Sequence, residues 1–337
     1  MKCVDIFSGC GGMSLGFGAA GIDIVAAIDN WEEALEVYSQ NFDHPVIQHD
    51  LGDEEAAVKL IREFDPSIII GGPPCQDFSS AGKRDETLGR ADLTYSFAEI
   101  VCQIMPDWFV MENVQRIVKS RILSEVSEQY SAAGFGLTAV ILDASYCGAP
   151  QARRRFFLIG HKNDRHNFLT PLLAEKLSES PMTMRNYFGD RLGIDYYYRH
   201  PRNYNRRAIY SMDEPSATIR GVNRPVPRGY QRHPLDPVNI AKVSVRPLTT
   251  AERAQVQTFP KRFKFVGTKT KVEQMIGNAV PPTLAKFVAK AILTYENTKE
   301  EDRPCSGRLF ELKNTIEFPA RPLNRLPDRH SRNSRCA

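Results

Sequence analysis

"DIFSGCGGMSLGF" (residues 5–17) decides the fold. The apolar stretch "KCVDIF" at 2–7 runs into Gly9, Gly11 and Gly12, after which the apolar spacing becomes that of a helix. A strand that turns through glycines into a helix brings backbone N–H groups close to a ligand at the helix N-terminus, although the same turn also serves as a plain tight connection. Asp29, at the end of the next strand-like run, stands where an acid receives ribose hydroxyls. Ser14 replaces the last glycine of G-x-G-x-x-G, so the loop suits a nucleoside better than a dinucleotide. Asp50, in "QHDL", either reaches an adenine edge or caps the next turn.

The same rhythm continues through the first half of the chain. Strands are predicted over 2–7, 22–28, 67–71, 107–112, 137–142 and 155–160. Between them "MSLGFGAAG", "WEEALEVYSQNF", "DEEAAVKLIREF", "LTYSFAEIVCQIM" and "IVKSRILSEVSEQYSAAG" read as helices, two of them closing at Gly21 or Gly134. Alternating strands and helices imply an α/β fold with a mostly parallel, doubly wound sheet. After residue 162 proline, arginine, asparagine and tyrosine take over until about 245, the composition of loops and short strands on a smaller domain. Regular structure resumes with "LTTAERAQVQTF" and a helix over 283–297 behind "GNAVPP". The expected division is a catalytic and cofactor domain over 1–162, a second domain over 163–265, a return to the first over 266–297, and a mobile tail over 298–337 in which "RLFELKNTIEF" can dock locally.

The chain has 337 residues, 42% of them hydrophobic and 25% charged, and no apolar run approaches the ~20 residues of a membrane span. Its start lacks the features of a signal peptide, and its seven cysteines contain no C-x-x-C pair, so a cytoplasmic protein with reduced thiols and no metal site is expected. Net charge is only +4, yet between Arg199 and His233 eight arginines face Asp213 and Glu214, a local excess of six. That arginine, asparagine and tyrosine mixture is suited to phosphates and base edges.

"IIIGGPPCQDFSSAGKR" (68–84) carries the chemistry. A buried strand ends in two glycines, so Cys75 falls at the carboxyl edge of the sheet, where ligands bind in this architecture. Pro73 and Pro74 restrict the backbone ahead of the thiol, and the segment beyond is rich in Gly and Ser. A thiolate attacks an electrophilic ring carbon that a hydroxyl would not. Cys3, Cys102 and Cys147, by contrast, read as small buried hydrophobes. "DWFVMENV" ends an apolar strand in Glu112 and Asn113, and a carboxyl held among apolar neighbours tends to stay protonated and able to donate.

"DIFSGCGG", "GGPPCQDFS", "MENV", "GAPQARRR", "RPLTTAERAQVQTFP" and "QMIGNAVPP", in this order, closely resemble the DNA (cytosine-5) methyltransferase family of bacterial restriction-modification systems. The resemblance covers about 1–160 and 246–295, and the intervening segment falls where the family carries its target-recognition domain. It implies a Rossmann-like, S-adenosylmethionine-dependent methyltransferase fold acting on double-stranded DNA. Cys75 then looks like the nucleophile that attacks C6 of a flipped-out cytosine, Glu112 the acid at N3 and the exocyclic amine, and Arg153 and Arg155 the paired arginines, Arg155 resembling the one at the base O2. S-adenosylmethionine is expected against Phe7, Ser8, Gly9, Gly11, Gly12, Asp29, Asp50, Leu51, Pro74, Leu93, Asn278, Ala279 and Val280. The family often stacks an aromatic residue on adenine where this chain has Asn30 followed by Trp31, and either of these is a candidate for that contact. Gln76, Ser79, Arg220, Arg224 and Arg228 are expected at DNA. The resemblance further implies a monomer, with a cognate restriction endonuclease acting on the same site.

A tRNA-methylating branch shares these motifs, but the long arginine-rich variable segment favours DNA. A nicotinamide-dependent dehydrogenase would need the missing glycine, and a non-enzymatic DNA-binding protein would have no use for a positioned Cys75 and Glu112.

Overall fold

The computed structural model describes residues 1–74, 93–203, 206–241 and 243–298, together with the backbone of 316–317. Cys75, Gln76 and Ser79 lie outside the described residues. Strands β1 (Lys2–Ile6), β2 (Asp23–Asp29), β3 (Val46–Gln48), β4 (Ile68–Gly71), β5 (Trp108–Val114) and β6 (Phe135–Asp143) run parallel. After the two-residue β7 (Gln151–Ala152), β8 (Arg154–Lys162) inserts antiparallel between β5 and β6. The sheet order is therefore β3-β2-β1-β4-β5-β8-β6, and the chain reverses its direction of travel between β1 and β4. Ligands bind at the carboxyl ends of the strands flanking such a reversal.

Alternation along β1 shows why the sheet is covered on both faces. Cys3 joins a cluster with Met13 and Phe17 of α1 (Gly12–Gly18), whereas Val4 and Ile6 join Ala57, Val58 and Ile61 of α3 (Glu54–Arg62), which follows α2 (Glu32–Ser39). Helices α4 (Leu93–Ile104) and α5 (Arg121–Ala132) complete the second face. Cys3 and Cys147 are buried, and Cys102 is half-buried with its thiol pushed up to about 11, first by burial and then by Glu99.

The segment after 162 contains α6 (Thr170–Glu175), α7 (Met184–Phe188), the small sheet of β9 (Tyr196–Tyr198) and β10 (Ile209–Ser211), and β11 (Ser216–Ala217), which pairs with β7. The parallel partner of β9 is β12 (Arg246–Pro247), and α8 (Thr250–Val256), α9 (Lys269–Asn278) and α10 (Pro282–Glu296) follow. Ala254 and Val256 of α8, Val272 and Met275 of α9, Met184 and Tyr197 of the smaller unit, and Cys10, Ala34 and Val37 of the first unit share one apolar cluster. Ile316 and Glu317 pair in parallel with Val140 and Ile141 on the outer edge of β6.

Candidate active site

Beyond Ile6 the backbone turns sharply, with Phe7, Gly9 and Gly11 all at positive φ. Asp29, at the carboxyl end of β2, holds that turn: its Oδ2 accepts from Gly9 N at 2.7 Å and its Oδ1 from Trp31 N at 2.8 Å. Burial pushes the Asp29 carboxyl up, against the lowering effect of the backbone donors of Trp31, Gly9 and Asn30. Each carboxylate oxygen keeps a lone pair for a further donor. Gly12 opens α1 in direct contact with the 278–280 turn, where a Cβ would fall 2.4 Å from the backbone oxygen of Val280. The Ser8 hydroxyl is buried and finds no partner among the described residues, while nothing lies within 4 Å of where a Cβ on Gly9 would sit. An orphaned hydroxyl beside open space at a glycine turn fits a polar cofactor lying over the loop.

The remaining cofactor candidates divide. Phe7 stacks on Phe97 at 6.5 Å between centroids, Leu51 is buried, and Leu93 lies against Gly52. Asp50 Oδ1 caps its own turn, accepting from Gly52 N at 3.0 Å. Pro74, Asn30 and Asn278 are exposed, whereas Trp31 is partly buried against the apolar cluster beneath α2. Ala279 is half-buried and Val280 buried.

The chemistry-bearing side chains converge at the ends of β4, β5 and β8. Antiparallel pairing sets Glu112 opposite Phe157, so Arg155, two residues before Phe157, lies diagonally on the same face. Arg155 Nε approaches Glu112 Oε1 to 2.8 Å, with the side chains 14% and 11% exposed. Burial drives the Glu112 carboxyl above the ordinary glutamate range, against the pull of Arg155 and Arg153. The carboxylate stands over the end of β4: a Cβ on Gly72 would fall 3.1 Å from Glu112 Oε2. Asn113, 3% exposed, donates its Nδ2 to Pro73 O at 3.2 Å and so ties the Gly-Gly-Pro-Pro segment to β5.

A model of the family described as C-5 cytosine-specific DNA methylase matches residues 1–294. The chain belongs to that family. This cytosine-5 DNA methyltransferase is 63% identical over 296 residues to the type II methyltransferase M.HindV of Haemophilus influenzae, covering 88% of this chain and 97% of the relative. It is 55% identical over 297 residues to M.HgiDI of Herpetosiphon aurantiacus, covering 88% and 96%. Among solved structures, a putative DNA modification methyltransferase from an Escherichia coli prophage superposes with a TM-score of 0.65 at 23% identity, covering 88% of this chain and 100% of that one. S. pombe Dnmt2 gives 0.67 at 18%, with the same coverage, and these two likenesses concern the fold alone. Among the described residues no helix is long and apolar enough to cross a membrane.

Arg153, the other of the paired arginines, is fully buried with its guanidinium on backbone carbonyls: Nη1 donates to Ile219 O at 3.1 Å, and Nη2 lies 3.0 Å from Gly277 O, 3.2 Å from Asn278 O and 3.0 Å from Ala279 O. A guanidinium at the end of α9 satisfies carbonyls that the helix leaves open, so Arg153 anchors the 278–280 turn. Arg220 is half-buried with Nη2 on His200 O, whereas Arg224 and Arg228 are exposed.

Two residues escaped the sequence reading. Gln151 and Gln257, both fully buried, join amide to amide at 2.6 Å; Gln151 also accepts from Ile219 N at 2.7 Å, and Gln257 donates to Ala279 O at 3.1 Å. Each lies inside a quoted motif, "GAPQARRR" or "AQVQTFP", but nothing local says that they meet. Their network joins β7, Ile219 and the 278–280 turn.

Proposed function

We propose that the methylase uses S-adenosylmethionine to modify C5 of a flipped-out cytosine within a specific duplex DNA sequence, through a covalent bond from Cys75 to C6. The observation that carries this reading is the buried Glu112 carboxylate standing over Gly72, at the strand end whose next residues are Pro73, Pro74 and Cys75. S-adenosylmethionine, when bound, supplies an electrophilic methyl group on a sulfonium. Ser8, Gly9, Asp29 and the 278–280 turn would hold it, with the remaining positions from Phe7 to Leu93 as its walls.

Cytosine C5 is a poor nucleophile. Addition of the Cys75 thiolate to C6 makes an enamine, with Glu112 giving a proton to N3 and Arg155 donating a hydrogen bond to O2 to draw off the developing charge. C5 would then take the methyl group as its bond to sulfur breaks and leaves a neutral thioether; a base takes the C5 proton, N3 returns its proton to Glu112, and expulsion of the thiolate restores the aromatic ring. The target base must leave the helix stack for this to happen. Arg224 and Arg228, exposed on the basic segment, are suited to DNA, as are Gln76 and Ser79 beside the nucleophile. The type II names of its relatives support a role protecting host DNA against a cognate endonuclease, with no contact between the two enzymes required.

Incubation with labelled S-adenosylmethionine and duplex DNA tests the reading. Methyl transfer to duplex DNA, its loss in Cys75→Ala, and a covalent adduct with 5-fluorocytosine DNA are expected; transfer to tRNA instead, or activity surviving in Cys75→Ala, would overturn it. Bisulfite sequencing of DNA from expressing cells gives the target sequence.

A further inference from the structure

Outside the catalytic residues, a second buried ion pair involves the smaller unit. Arg253 of α8 and Glu273 of α9 are 5% and 3% exposed, and Arg253 Nε lies 2.8 Å from Glu273 Oε2. The rest of both side chains is directed at one loop. Arg253 Nη1 donates to Val222 O at 3.1 Å and Nη2 to Arg220 O, while Glu273 Oε1 accepts from Asn223 Nδ2 at 3.3 Å and from Thr250 Oγ1 at 2.7 Å. Asn223 Nδ2 also reaches Leu248 O at 2.9 Å. Residues 220, 222 and 223 are thus each held by the pair, two of them through backbone carbonyls alone.

Beneath the loop the backbones touch. A Cβ on Gly277 would fall 2.2 Å from Gly221 N, so the loop lies directly on α9, one residue before the end that Arg153 anchors. What the loop turns outward is Val222, 48% exposed, and the exposed Arg224. An apolar tip next to a guanidinium suits a groove edge, where a thymine methyl and a guanine offer matching contacts.

We infer that the Arg253–Glu273 pair is a positioning device for target recognition, fixing the 220–224 loop relative to the catalytic end of the sheet. The inference rests on the reading that this loop meets DNA. Replacing a buried ion pair by apolar residues of similar volume often leaves stability unchanged or raised, so stability alone does not account for the pair. A carbonyl grip also leaves the Val222 side chain turned outward, which a device serving sequence readout requires.

The test uses the full-length enzyme and, once bisulfite sequencing has given the target, duplexes carrying the target or one altered base pair. V222A and R224A probe the loop, and the apolar double variant R253M/E273L and the single variants E273Q and R253K probe the pair. The loop variants are expected to raise the KM for DNA or change site preference by fivefold or more. R253M/E273L is expected to lose some melting temperature, since Val222 O and Arg220 O lose a donor, but to keep its S-adenosylmethionine affinity and, within threefold, its kcat on the target, while discrimination against altered sites falls at least tenfold; R253K is expected to fall between it and wild type. E273Q provides the same readout if the double variant does not fold. Loop variants that alter recognition beside folded pair variants with unchanged discrimination would overturn the positioning role. Loop variants without effect on KM or preference would instead overturn the reading of the loop, and the inference with it.

Discussion

Glu112 and Arg155 face one another across adjacent antiparallel strands at 2.8 Å, both nearly shut off from solvent. Burial raises the Glu112 carboxyl, favouring its protonated form, and lowers the Arg155 guanidinium, and in each case the charge of the other opposes the shift. The approach is close but misaligned, since Glu112 Oε1 finds no well-directed hydrogen bond among the described residues. A carboxyl raised in this way is poised to hold a proton and give it to an entering base.

Glu112→Gln should therefore lower kcat by about 10²- to 10⁴-fold, the usual contribution of a positioned acid. Its folded pKa is raised, so the protonated, donating form persists above the ordinary glutamate range and is lost as pH rises through the shifted value. The kcat/KM profile of wild type should show that alkaline loss, and the profile of the variant should lack it. Identical profiles would remove Glu112 from the acid role.

Arg153→Met should destabilise the protein by about 3 kcal/mol or more, because four carbonyls lose a charged donor inside the fold. The 278–280 turn is among them, so affinity for S-adenosylmethionine should fall together with the urea midpoint. A residue contacting only substrate would instead lose activity at unchanged stability, and that result would show that Arg153 acts on substrate rather than on the turn.

How far the sequence carried this reading depends on where partners lie along the chain. Ile68 to Ile70 are buried on both faces, so a short unbroken apolar run was enough to locate β4. Gly134, at positive φ just beyond α5, likewise announced a helix end locally. In contrast, α9 went unrecognised as a helix, its last residues being read only as part of a motif: Glu273 sits on its buried side and breaks the apolar pattern, and its partner Arg253 is on another helix. The motif pairs Arg153 with Arg155 without saying where either side chain goes. Arg153 lies between the end of β7 at Ala152 and the start of β8 at Arg154, so strand alternation does not place it on the face of Arg155.

Gly12→Ala should uncouple cofactor binding from the fold. No strained backbone angle is involved; the whole cost is the contact between the new methyl group and the Val280 oxygen, 2.4 Å away before relaxation. Overpacking of this kind costs about 1–3 kcal/mol, and here it is relieved by displacing the 278–280 turn. Calorimetry should give at least a tenfold weaker S-adenosylmethionine affinity with the circular dichroism spectrum retained. Unchanged affinity would mean that the turn does not form part of the cofactor site.

The last prediction concerns Asp5, 1% exposed beneath the glycine loop. Its Oδ2 accepts from Ser14 Oγ at 2.5 Å and Ser14 N at 3.2 Å, the Tyr38 hydroxyl donates to Ser14 Oγ at 2.6 Å, and His44 Nε2 lies 2.7 Å from that hydroxyl, while Asp5 Oδ1 is buried without a partner among the described residues. Burial dominates and pushes the Asp5 carboxyl up to about 7, against the two Ser14 hydrogen bonds. A carboxyl with a raised folded pKa contributes stability that is complete below its unfolded value near 3.8 and is lost as pH rises through about 7. Between those limits wild type should lose stability relative to Asp5→Asn at up to about 1.4 kcal/mol per pH unit, and above them the difference should level off. Urea unfolding of both proteins from pH 4 to about 8.5 measures that difference directly and cancels the titration of Glu112, Asp29 and His44, which both share. Parallel stability profiles would show that Asp5 stays ionised throughout, and that the chain of donors from His44 through Tyr38 and Ser14 is enough to hold its charge.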